Sequence, residues 1–228
     1  AGDVLILSKP LGVGMLSAAL KKGVLSAQGY ADMVRAALQA LRDEGLVSLT
    51  LSQSYRRRVQ MRAVDAFERL RSVNPAPACF FFNAGQGERL FGASPDLQLV
   101  VQQRRVQSFP VCGTVARGSG PLDEAEALQD LLNESVDAAS LAVCTDALRN
   151  DLAPWCEPTS MKLVDRRKPM TLATVIHAVD HLQAQLLPDS DAWDLIAATA
   201  APVMVTGTPR AKALQAIQTL EASPRRWY

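Results

Sequence analysis

Strand-type runs in this chain come in groups instead of alternating one by one with helices, and that order constrains the fold more than any other feature. Short runs rich in β-branched and aromatic residues at 4–7, 46–51, 79–82, 97–101, 161–164 and 172–182 are bounded by Gly, Pro and Asn. Helical periodicity marks 13–22, a second helix capped by Ser26 and ending near Arg42, and then 62–72, 123–150, 190–200 and 209–221. Pro209 is expected in the first turn of the last of these. A doubly wound sheet needs regular alternation, so the reading is α+β. The 228 residues suffice for one sizeable core or two small ones.

Charge excludes some partners. The 24 basic and 23 acidic residues leave a net charge of +1, which gives no field to recruit nucleic acid or an anionic membrane. The clusters Arg56-Arg57-Arg58, Arg104-Arg105 and Arg166-Arg167-Lys168 lack interleaved aromatics and read as solvated turns. Cys79, Cys112, Cys144 and Cys156 form no CxxC, which argues against a zinc knuckle. Without a visible signal peptide they read as reduced thiols of a cytoplasmic protein. No apolar stretch reaches the roughly 18 residues of a membrane helix.

Near the start, Gly12 and Gly14 raise the question of a phosphate cradle. The Walker spacing is absent, and the dinucleotide pattern GxGxxG has Ser17 at its third glycine. Asp32, at a suggestive distance, falls inside a helical pattern where a strand should end. The glycines therefore read as a strand-to-helix turn. The stretch GDVLILSKPLGVGMLSAALKKGVLSAQGYADMV resembles the start of the C-terminal half of selenophosphate synthetase over residues 2–38. That family's reactive Cys or selenocysteine, lysine and metal-binding aspartates lie in its N-terminal half. Residues 1–40 thus read as a C-domain fragment folding as a strand and two helices.

From about residue 41 the segments NPAPACFFF, FGASPD, FPVCGTVARG, LRNDLAPWCEP, VIHAVDHL, VTGTPRAKALQAI and SPRRWY follow in order. Together they resemble the chorismate-binding domain of anthranilate synthase component I, in the variety fused to a glutamine amidotransferase. The resemblance implies a partial layered β-sandwich with flanking helices over 41–228. It also implies Mg2+ as cofactor and a lyase of tryptophan biosynthesis, which takes chorismate and ammonia or glutamine to anthranilate and pyruvate. An amidotransferase domain or subunit is the implied partner.

Chorismate is a small dianion, so its site needs amides, hydroxyls and cations, with a divalent metal to neutralise a carboxylate. The resemblance assigns substrate contact to Gly113, Thr114, Gly207 and Tyr228, and the active-site histidine to His177. Read without it, Gly113-Thr114 is a turn after a strand, and a histidine in an apolar β-run is a satisfied core residue. His177 and His181 stand four apart, a zinc spacing on a helix. The flanking Val175, Val179 and Leu182 fit a strand better, and no glutamate lies between the histidines, so zinc is set aside.

Several positions depart from the family pattern. Its metal helix reads roughly K-E-x-x-E-H-x-M, with two carboxylates three apart; here Asp137 keeps the first acid, Ser140 replaces the second and Leu141 stands at the histidine. A neutral hydroxyl is a poor magnesium ligand, so metal affinity is expected to fall. Met204 replaces a threonine, Gly207-Thr208-Pro209-Arg210 stands for glycine-alanine-proline-lysine, and Asp96 shortens a glutamate. The chain opens without Met and closes at Tyr228, which reads as a fragment with impaired turnover. Two alternatives stay open: a non-catalytic degenerate or chimeric protein joined near 38–45, and a selenophosphate-synthetase remnant that binds ATP.

Overall fold

The computed structural model describes residues 3–11, 27–94, 96–221 and 224–225. The expected helix over 13–22, Ser26, Gly12, Gly14 and Tyr228 lie outside them. The chain divides into two compact units, one of residues 1–60 and 200–228, the other of residues 61–199.

In the first unit, β1 (Asp3–Leu11) pairs antiparallel with β3 (Leu51–Val59), and β2 (Ser48–Leu49) pairs with β11 (Gly207–Thr208). The helices α1 (Ala27–Asp43) and α6 (Arg210–Leu220) supply a small core in which Leu46, Ala213 and Ala216 are buried against Ala40, Leu41 and Leu49. Pro209 stands just before the first turn of α6, in extended conformation, one residue earlier than expected. A buried ion pair closes the unit: the Glu221 carboxylate receives Arg225 and the Ser52 amide, while Arg225 also donates to the carbonyl of Thr50.

The second unit begins with α2 (Ala63–Val73) and the hairpin of β4 (Ala78–Gly85) and β5 (Glu88–Ser94). Gln86 and Gly87 both take positive φ, 47° and 86°, as a two-residue hairpin turn of the primed kind requires. Phe81 and Phe91 stack at 5.8 Å, and Phe67 of α2 meets both rings at 5.4 and 5.8 Å.

Five strands then build one antiparallel sheet: β6 (Leu99–Gln102), β7 (Arg105–Ser108), β8 (Val111–Ala116), β9 (Lys162–Thr171) and β10 (Val175–Gln185). The strand β10 is central. One edge pairs with β9, while the other pairs with β8 near its start and β7 near its end. Residues 176–180 are all buried, as a strand covered on both faces must be. The sheet supports α3 (Pro121–Asn133), α4 (Ser135–Leu152) and α5 (Ala192–Thr199). Leu148, Leu152, Leu182, Ala184 and Leu195 lie in one core cluster, and Leu131, Leu141, Ile176 and Ala178 in another. Burying such side chains stabilises by about 1.5–3 kcal/mol each before entropy is counted.

Two expectations are corrected. The helix expected over 123–150 is two helices, because Glu134 adopts ψ 109°, ends α3, and turns its carboxylate back to cap the Val136 amide of α4. Of the basic clusters read as turns, Arg56–Arg58 falls within β3 and Arg166–Lys168 within β9. There Arg167 sits in a bulge with φ 49°, and its amide donates to the buried Asp180 carboxylate at 2.7 Å.

Candidate functional site

The strands β8 and β10 carry most of the residues expected to meet substrate. Their register sets Thr114 opposite His177, and directly opposed residues share a face. Thr114 Oγ1 lies 2.8 Å from His177 Nδ1. His177 is only 6% exposed, and its buried Nε2 makes no hydrogen bond. Asp96 Oδ1 stands 3.9 Å from that nitrogen, beyond hydrogen-bond reach but within range of an ion pair should the ring take a second proton. An unsatisfied buried nitrogen costs about 1–3 kcal/mol, so the arrangement is one that a ligand oxygen would complete.

Gly113, the neighbour of Thr114, has φ 95°. A Cβ there would stand 3.0 Å from Leu131 Cδ1 and 3.1 Å from Asp137 Oδ2. Glycine therefore meets two needs: the left-handed backbone, and the close approach of the Asp137 carboxylate to β8. The ladder between β8 and β10 shifts register just beyond, between His177 and Val179. The contact between Thr114 and His177 and the approach of Asp137 to Gly113 thus meet at adjoining residues of one strand.

Asp137 lies in the first turn of α4, where free amides and the helix dipole favour a carboxylate. Ser140 is one turn further along the same face. Cys112 of β8 is close to both. Burial pushes its thiol up and the Asp137 charge adds to this, while hydrogen bonds from the Gly113 amide and the Ser140 hydroxyl oppose them. Cys144, one more turn along α4, is pushed up to about 12, by burial first and then by Cys112.

This donor set does not fit magnesium. A hard cation takes oxygen ligands, with carboxylates carrying the charge. The face of α4 offers one carboxylate, one neutral hydroxyl and a soft sulfur. No group of three or more His, Cys, Asp and Glu side chains among the described residues is arranged to hold a metal. His181 is occupied elsewhere: Nε2 is 3.1 Å from Gln107 Oε1, Nδ1 is 3.6 Å from Asp165, and the ring stacks on Phe109 at 4.6 Å.

Gly207 belongs to the first unit. Its φ of 128° and the Ser48 carbonyl, which a Cβ would strike, explain the glycine by backbone approach. Tyr228 is outside the described residues. Asp96 and Cys112 join the site without having been singled out for it. The motif marks Asp96 only as a shortened acid, and its approach to His177 follows from the path between β5 and β6.

The family described as chorismate binding enzyme matches residues 17–228, and so takes in part of the segment likened to selenophosphate synthetase. An anthranilate synthase of Azospirillum brasilense is 39% identical over 199 residues, 87% of this chain and 27% of that protein. Anthranilate synthase component 1 of Methanothermobacter marburgensis is 28% identical over 223 residues, 98% of this chain and 48% of the relative. The chain spans less than half the length of either. Among solved structures, anthranilate synthase component I from Streptococcus pneumoniae TIGR4 superposes with a TM-score of 0.74 at 24% identity, over 96% of this chain and 45% of that one. The α+β architecture with flanking helices is therefore shared. No helix among the described residues is long and apolar enough to cross a membrane.

Proposed function

We propose that this chain, which belongs to the chorismate-binding enzyme family, binds chorismate where β8 meets β10, with His177 as the residue that exchanges a proton with it. The observation that carries this reading is the buried, unpartnered Nε2 of a histidine whose other nitrogen is held by Thr114. Thr114 donates to Nδ1, which leaves the proton on Nε2 beside Asp96. When the ring carries a second proton, Nδ1 donates to Thr114 Oγ1 instead, and the imidazolium gives its Nε2 proton to the ring hydroxyl as it departs and returns to neutral imidazole. The Gly113 backbone comes close to the ligand because no side chain intervenes.

The chemistry is that of anthranilate synthase. Ammonia adds to the ring, the hydroxyl leaves as water, and the enolpyruvyl group is released as pyruvate to give anthranilate. A glutamine amidotransferase domain or subunit as the source of ammonia is supported by the resemblance alone. The missing second carboxylate makes turnover by this chain slow.

Calorimetric titration with chorismate tests the reading. Saturable heat that His177→Ala removes supports it. A cooperatively folded chain that gives no heat favours instead a non-catalytic descendant, the reading that Ser140 supports. Anthranilate fluorescence with added ammonium then reports turnover.

A further inference from the structure

We infer that the face of α4 bearing Asp137 and Ser140 holds no divalent cation, and that the hydroxyl at position 140, in place of a carboxylate, is the main reason. The inference concerns the free chain and the ion, so it stands or falls apart from chorismate binding.

Three features of the structure lead to it. First, position 140 is where a second carboxylate would stand beside Asp137: the two are three residues apart on one helix, and side chains so spaced are neighbours, whereas Glu134, three residues before Asp137, spends its carboxylate on the Val136 amide. Second, Asp137 lies in the first turn of an 18-residue helix, so its charge is already met by the positive end of the helix, equivalent to about half an elementary charge. That same end repels a cation placed beside Asp137. One carboxylate keeps about half its charge after this offset, whereas two would keep about three times as much. Third, the Asp137 carboxylate packs close against β8: a Cβ at Gly113 would come within 3.1 Å of its Oδ2. Magnesium gives up water reluctantly and needs near-octahedral oxygen ligands, so a lone carboxylate against a strand, with a thiol alongside, gives it nothing to replace its shell.

Manganese(II) alone is the probe, read by the loss of its free-ion electron paramagnetic resonance signal on adding the full chain. The wild-type chain is expected to leave the signal intact at millimolar ion. Ser140→Glu is expected to bind one ion per chain, about a hundredfold more tightly than the wild type. Asp137→Asn in that background is expected to remove the gain. Circular dichroism checks that each variant is folded, and Ser140→Asp serves if the longer side chain disturbs α4. Depletion of the signal by wild-type chain that Asp137→Asn abolishes would overturn the inference. So would folded Ser140→Glu and Ser140→Asp variants that bind no more ion than wild type.

Discussion

Thr114 Oγ1 and His177 Nδ1 stand 2.8 Å apart across the ladder of β8 and β10, although 63 residues separate them in the chain. One hydroxyl thereby fixes the orientation of the imidazole and leaves its far nitrogen for a ligand. Thr114→Val keeps the shape and removes that hydroxyl. Chorismate affinity is expected to fall about tenfold, the loss of one hydrogen bond to a group that reaches the ligand. His177→Gln is expected to lower it further and to abolish anthranilate fluorescence. Calorimetry and fluorescence on the same samples separate the two effects.

Gly113→Ala brings two penalties, a Cβ at φ 95° and contacts of 3.0 and 3.1 Å with Leu131 and Asp137. The expected destabilisation is about 2 kcal/mol. Urea unfolding of the two proteins measures it. An unchanged midpoint would show that α4 moves away from β8 freely.

Asp180 is 2% exposed and accepts from the Thr145 hydroxyl and the Arg167 amide, each at 2.7 Å. Asp180→Ala strands both donors inside the unit. The expected loss is about 3 kcal/mol, and Asp180→Asn, which keeps an acceptor, should lose less. Chemical denaturation of both variants checks the order.

Burial holds the Cys144 thiol up to about 12 against a thiol's usual 9.0. The folded chain keeps this proton after the unfolded chain has lost it. The contribution to stability is complete below 9.0 and disappears as pH rises toward 12. Stability is therefore expected to decline through that window, and Cys144→Ala should flatten the slope. In the native chain, exposed Cys79 should react with a thiol reagent well before buried Cys144 and Cys156.

The helices α2, α5 and α6 are legible within one or two residues, since apolar periodicity and Pro209 mark them locally. The break at Glu134 is not, because neither Gly nor Pro announces it and the flanking residues all tolerate a helix. Its cause is Glu134 itself, which folds its carboxylate back onto the next helix. The strands β7 and β8 are short, and Gly113 interrupts the second; their pairing with β10 makes them strands. For the same reason the Arg166–Lys168 run, polar enough for a turn, lies in β9. At the site, the motifs pick out Thr114 and His177 singly. What joins them is register, which no short segment encodes. Asp96 shows the limit most plainly, because its approach to His177 depends on a loop that positions it from outside the sheet.

The central place of β10 also governs how the unit can be made. Synthesis runs from the N-terminus, so β6, β7, β8, α3 and α4 have all been synthesised before the strand at 175–185 exists to join them. Until then β8 lacks its only neighbour, β7 lacks one of its two, and the apolar faces of two helices lack part of their floor. Nascent chains halted short of residue 185 are the stage at which this protein most needs a chaperone.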